Sequence, residues 1–181
     1  MNCNRTLLAI AGASMMVAGC TTPAAAPSQG VVQTQRFERS AASALLVRGT
    51  GQVRGAALIR KSTGTSATCA RADVDLIPAT PYADERMGIL YGPDTGETMV
   101  RYDGTDARGL PEPAPAEYLS TTLKTRCDTQ GNFYFDQIRS GAFWIQTSVK
   151  WTDGSGPHGG LVALRVQVQD GQTVNVLMAP R

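Results

Sequence analysis

The sequence predicts an all-β fold, a β-sandwich of about seven short strands. Three observations carry the prediction. Apolar residues recur at every second position from about residue 45 onward, a helical period of 3.6 is nearly absent there, and Gly, Asp and Asn separate the alternating runs. Successive side chains of a strand point to opposite faces, so this alternation marks strands with one face buried.

In chain order, Ala72, Val74 and Leu76 alternate with Asp73 and Asp75, which predicts a strand. Leu119, Thr121, Leu123 and Thr125 alternate with Ser120, Thr122 and Lys124, which predicts another. Continuing that phase turns Cys127 inward, where it suits a disulfide between strands or sheets. Phe133 and Phe135 mark the next strand, Phe143, Ile145, Thr147 and Val149 the one after, and Val162, Leu164, Val166 and Val168 a further one. Asp170-Gly171 joins that run to Val174, Val176 and Met178, and Asp-Gly between alternating runs signals a tight hairpin. Segment 78–117 breaks the pattern. One short helix is expected to open after Thr80, followed by a Gly/Pro-rich passage ending in Pro111-Glu112-Pro113-Ala114-Pro115. Long irregular segments inside compact domains are functional or disordered, and both readings stand here.

Ahead of the sandwich, Arg5 precedes an uncharged apolar run of 11 residues, 7–17. That is too short for a bilayer core of about 30 Å, which takes about 20 helical residues, and it fits the h-region of a secretory signal. Val17-Ala18-Gly19-Cys20 follows and resembles the lipobox of bacterial lipoproteins. Small residues at 18 and 19 fit a narrow peptidase cleft, and the Cys20 thiol is the nucleophile that takes up a diacylglycerol. The resemblance implies a signal peptide over 1–19 and a mature chain held on a membrane by lipid on Cys20. With Thr21 rather than Asp after the cysteine, it also implies an outer-membrane anchor facing the periplasm. An ordinary secretory peptide cleaved near Ala24 to Ala26 is the competing reading. Residues 21 to about 40 are small, polar and Pro-bearing and read as a flexible tether, so 20–44 is taken as the lipidated tether and 45–181 as the sandwich.

Without residues 1–19 the chain carries 16 Lys plus Arg against 15 Asp plus Glu, which argues against nucleic acid as a partner. Of four cysteines, Cys3 falls in the signal peptide and Cys20 takes the lipid. That leaves Cys69 and Cys127 in an oxidising compartment, and a disulfide between them is the natural reading. A metal site needs more ligands than these two and the single histidine, His158, so no metal and no cofactor is expected.

Thr125-Arg126-Cys127-Asp128-Thr129-Gln130-Gly131-Asn132-Phe133-Tyr134-Phe135, continuing into Gly141-Ala142-Phe143-Trp144-Ile145, resembles the carboxypeptidase regulatory-like domain, a transthyretin-like (prealbumin-type) β-sandwich. In that family a strand ends in Thr and Asp, a glycine turn follows, Phe-x-Phe opens the next strand, and a second glycine precedes an aromatic strand. The run from Val166 to Val176 is similar to the family's closing hairpin. The match spans about residues 118–178. It is weaker over 45–80, and the insertion at 78–117 departs from the short family form.

Candidate chemistry is sparse. Gly154-Ser155-Gly156-Pro157-His158-Gly159 spells G-x-G-x-x-G, but Pro157 interrupts it and a strand follows, so it reads as a hairpin loop. One histidine excludes a zinc peptidase site. No G-x-S-x-G occurs, and a histidine in a Gly-rich loop is poorly held for a Ser-His-Asp site. The purine-pathway hydrolase among transthyretin-like proteins needs several histidines and a Tyr-Arg-Gly-Ser ending, neither of which stands here. Asp73 and Asp75 point the same way and could meet a cation, but a solvated polar face is the commoner outcome. Trp144 falls out of phase with Phe143, Ile145 and Val149 and is expected to face solvent, with Trp151 beyond it. With Tyr82 and Tyr91 these form the candidate binding surface, for a sugar ring or a protein.

The sequence reading is therefore a non-enzymatic, membrane-anchored envelope lipoprotein, a structural or protein-binding module with an envelope protein as its partner. A carbohydrate-binding module with a glycan partner is the alternative, and a hydrolase stands third.

Overall fold

Residues 32–104 and 111–181 are described by the computed structural model; the signal peptide and Cys20 lie outside the described residues. The chain forms α1 (Arg39–Leu45), β1 (Gly51–Arg60), β2 (Ser66–Thr68), β3 (Asp73–Pro78), α2 (Pro81–Tyr91), β4 (Met99–Tyr102), α3 (Ala116–Ser120), β5 (Leu123–Arg126), β6 (Asn132–Ile138), β7 (Gly141–Asp153), β8 (Gly156–Val168) and β9 (Thr173–Met178). The all-β sandwich stands, with nine strands among the described residues rather than about seven. In one sheet β1 pairs antiparallel with β2 and β6 and parallel with β9; the other has the order β4-β8-β7-β3-β5.

The alternating residues meet as expected. Val53, Ala57 and Ile59 of β1, Phe133 and Phe135 of β6 and Met178 of β9 pack against Val74, Leu76, Phe143, Ile145, Val149, Val162, Val166 and Val168 of the facing sheet. Each such side chain removed from water contributes about 1.5 to 3 kcal/mol against the entropy of ordering the chain. Cys69, just past β2, and Cys127, just past β5, are bonded at 2.03 Å and tie the two sheets together. Gly131 turns the chain from β5 into β6 at φ +89°, and a side chain there would sit 2.6 Å from Thr68 Cβ, so both conformation and space call for glycine.

Two strand expectations are corrected. Asp170-Gly171 makes a turn, but not a hairpin: β9 crosses to the other sheet and runs parallel to β1, with Val174 opposite Val53. The signal reports a turn and is blind to the partner. Here the turn is captured by the start of β1, Gln52 N donating to Gln172 O at 2.8 Å and Gly171 N to Thr50 Oγ at 2.8 Å. Leu119 and Thr121 do not lie in a strand either. Pro115 O accepts from Tyr118 N and Leu119 N and starts α3, so Tyr118 is buried and Leu119 is 58% exposed. Only Leu123–Arg126 pairs with β3.

The described part of insertion 78–117 is a built layer. Thr80 caps α2, its Oγ accepting from Ala83 N at 3.3 Å, and Pro81 occupies the first turn, as the expected opening after Thr80 required. Tyr82, Ala83, Met87 and Tyr91 of α2, with Met99 and Tyr118, close over Ile77, Trp144 and Ala163 on the outer face of the β4-β8-β7-β3-β5 sheet. This second core adds a third layer to the described residues, and on the outer face of the β1 sheet Arg54, Asn132, Tyr134, Asn175 and Leu177 are exposed among them.

Part of the expected tether belongs to this layer. Glu85 on α2 accepts from Thr34 N at 2.9 Å, Thr34 Oγ at 2.7 Å and Gln35 N at 2.7 Å, while Phe37 packs edge-on against Tyr82 and Tyr118. The Thr34 amide, the Thr34 hydroxyl and the Gln35 amide hold the Glu85 carboxyl below its ordinary pKa. A carboxyl lowered in the fold contributes its clamp above the ordinary glutamate range and loses it as pH falls through the lowered value.

Candidate functional site

Of the four aromatic residues expected to form a binding surface, three are structural. Trp144 is 2% exposed, a correction to its expected solvent position. It does leave the phase of Phe143 and Ile145, but the face it turns to is covered by α2, where its indole N–H donates to Asp84 Oδ1 at 2.7 Å. Arg165 approaches the same oxygen at 3.4 Å. Tyr82 and Tyr91 are buried in that layer too. Gln146 Nε2 donates to the Tyr91 hydroxyl at 2.8 Å, and burial pushes that hydroxyl's pKa well up.

Trp151 is the one left within reach of solvent. Strand register explains where it points. Val149 lies opposite Gly160 and faces the inter-sheet core, so Trp151, two residues on, faces the same side, opposite His158. Tyr102 also lies opposite Gly160, across β4, which brings it to that side. Trp151 and His158 stack with ring centroids 5.6 Å apart and planes at 21°. Together with Tyr102, Asp103, Pro157, Arg60 at the end of β1 and Lys61 and Ser62 just beyond it, they line a cleft of about 360 Å³ at the end of the sandwich. Tyr102 is 41% exposed, and Trp151 is half-buried, one part against the core. An aromatic wall with charged and hydroxyl groups around it is the usual make-up of a small-ligand site.

The hairpin tip beside this cleft carries Asp153, Ser155 and His158 in contact. Ser155 Oγ lies 2.8 Å from His158 Nε2, Asp153 Oδ1 lies 3.0 Å from that same nitrogen, and the Ser155 hydroxyl donates to Asp153 at 2.6 Å. A catalytic triad needs serine and carboxylate on opposite ring nitrogens, so that the imidazole can take the serine proton. Here both meet one nitrogen and the serine proton is already given to the carboxylate. What the arrangement does is lock a turn and orient His158 on Trp151. The Ser155 hydroxyl and amide, with His158 behind them, hold the Asp153 carboxyl down at about 2. Of the G-x-G-x-x-G sequence expected to form a hairpin loop, only Gly154 and Ser155 make the turn, with Asp153 opposite Gly156, and Gly156 to Gly159 already belong to β8.

Asp73 and Asp75 are each matched across the β3–β5 pair, with Arg126 Nε at 3.1 Å and Lys124 Nζ at 2.5 Å. Among the described residues no group of three or more His, Cys, Asp or Glu side chains could hold a metal ion. Sequence reasoning missed Tyr102, Arg60, Lys61 and Asp103. Only the pairing of β4 with β8 brings the first and last of these to Trp151, and no local pattern announces that pairing.

No known protein family profile matches the chain, and no curated protein is similar to it in sequence. Among solved structures, a proposed carbohydrate-binding protein of Pseudomonas aeruginosa has a similar fold, with a TM-score of 0.65 and 19% identity. The match covers 81% of this chain and 99% of that one. A minor pilin of Streptococcus agalactiae is more distant, with a TM-score of 0.35 and 12% identity over 74% of this chain and 44% of its own.

Proposed function

We propose that the chain is a non-enzymatic envelope lipoprotein, held on a membrane by lipid on Cys20, whose transthyretin-like sandwich is a carbohydrate-binding module. The observation that carries the binding half is the cleft in which Trp151 and Tyr102 stand among Arg60, Lys61, Ser62 and Asp103. One face of a pyranose ring presents C–H groups that lie flat on an indole, and its hydroxyls take hydrogen bonds from the charged and hydroxyl groups at the rim. The Pseudomonas neighbour's proposed carbohydrate binding supports the same reading. The lipid half rests on Val17-Ala18-Gly19-Cys20, and no described helix is long and apolar enough to cross a membrane. Thr21 after the cysteine supports attachment to the outer membrane.

A structural or protein-binding role is the second reading, favoured by the open outer face of the β1 sheet. There Arg54 lies 5.2 Å over the Tyr134 ring and Leu177 is 62% exposed, within a broad depression of about 750 Å³ that Asn132 and Asn175 also line.

Two measurements test the proposal. On a glycan array, the wild type is expected to bind a restricted set of saccharides and Trp151→Ala to lose at least ten-fold of that signal while keeping the far-UV circular dichroism of the folded sandwich. Equal signals from the two proteins would overturn the site. Radiolabelled palmitate is expected to enter the wild type and not Cys20→Ser; label retained by the variant would overturn the anchor.

A further inference from the structure

We infer that the Trp151 cleft takes a saccharide unit bearing an anionic group, with Arg60 and Lys61 as the residues that recognise it. The inference rests on the carbohydrate reading above and deepens it.

Two cations stand beside the aromatic wall of the cleft. Some described surface cations are paired, Lys124 with Asp75, Arg126 with Asp73, Arg165 with Asp84 and Asp94, Arg181 with Glu97, and others, such as Arg54 on the β1 sheet, are not. Arg60 and Lys61 line the cleft at the end of β1, and neither makes an ion pair or side-chain hydrogen bond among the described residues. One of the two acidic groups nearby is already engaged. Asp153 is engaged by Ser155 and His158 at the hairpin tip. Asp103, the one carboxylate lining the cleft, is turned over Gly159. A side chain built at Gly159 would meet Asp103 Oδ2 at 3.0 Å, so this carboxylate sits over the β8 backbone on one side of the cleft. The cleft thus presents an aromatic wall and two neighbouring cations, Arg60 and Lys61, against one carboxylate. A guanidinium matches a carboxylate or phosphate with two parallel hydrogen bonds, and an ammonium adds a point charge that tolerates either. A neutral sugar would use the wall and offer the cations only hydroxyl oxygens, with no charge to match theirs. A uronic acid or a sugar phosphate uses all three.

The test is titration calorimetry of the full lipidated chain in detergent micelles with three probes: trigalacturonate, mannose 6-phosphate and neutral maltotriose. At least one anionic probe is expected to bind ten-fold or more tightly than maltotriose, with an affinity that falls as salt is raised. The better of the two tells carboxylate from phosphate. The double variant Arg60→Gln/Lys61→Gln is expected to lose that preference, its affinity for the anionic probe falling at least ten-fold further than its affinity for maltotriose. Equal binding of neutral and anionic probes by the wild type would overturn the inference and leave the carbohydrate reading standing. So would a preference that survives in the double variant. Failure of a wide saccharide panel to bind at all would overturn the carbohydrate reading itself, and this inference with it.

Discussion

Replacing both Cys69 and Cys127 with serine is expected to lower the unfolding free energy by about 4 kcal/mol, the loop-closure entropy of a long cross-linked segment. The bridge closes 58 residues and spans from the end of β2 to the end of β5, so it shortens the unfolded chain across the whole insertion. Its surroundings hold it firmly: Cys69 N donates to Ala57 O at 3.0 Å and Cys127 N to Ala72 O at 2.9 Å, and both residues are buried. For a domain of this size the loss lowers the melting temperature by roughly 8 to 16 °C, at about 2 to 4 °C per kcal/mol. Thermal and urea unfolding, with the wild type measured oxidised and reduced, checks it. Coincident curves for all three proteins would contradict the role given to the bridge.

Trp144→Ala carries the second large effect, about 3 to 5 kcal/mol of stability, as expected when a fully buried aromatic is truncated. The indole fills the space between β7 and α2, and its N–H satisfies Asp84, which otherwise has only Arg165 in reach at 3.4 Å. Trp144→Phe keeps most of the packing and loses the hydrogen bond, so it should cost distinctly less. Urea midpoints of the two variants give the measurement. A Trp144→Ala midpoint within error of the wild type would contradict the covered position. Because Trp144 is structural, a loss of ligand binding in Trp144→Ala would report a damaged fold and not a damaged site.

That residue also shows how far the sequence could be read. Alternation placed the inward faces of β3, β6, β7 and β8 well, because a half-buried strand writes its period directly into the chain. It failed where a strand is covered on both faces. Residues 143–145 and 161–164 are unbroken apolar runs, the mark of a strand buried on two sides. Trp144, Leu161 and Ala163 are the outer members of those runs, and α2 is what they wait for. Had the runs been weighed against the insertion, a covering layer was legible. The parallel return of β9 to β1 was not, since a two-residue turn signal carries no information about a partner 120 residues away.

The candidate site was half legible for the same reason. Trp151 could be singled out as an aromatic beyond the main core, and His158 as the lone histidine. Their stacking follows from the β7–β8 register, which is local. Arg60 and Lys61 look like any solvated turn, and Tyr102 looks like part of an irregular insertion. Their shared cleft exists because β4 joins the edge of β8 and β1 ends beneath the hairpin, contacts between segments far apart in the chain.

The chain holds two tryptophans, one in the cleft and one sealed under α2, which provides an internal control. In a titration with a saccharide from the glycan array, followed by the two indole N–H resonances, the Trp151 signal is expected to move to saturation while the Trp144 signal stays in place. A saccharide that binds to saturation with the Trp151 resonance unmoved would contradict the assignment of the cleft as the carbohydrate site.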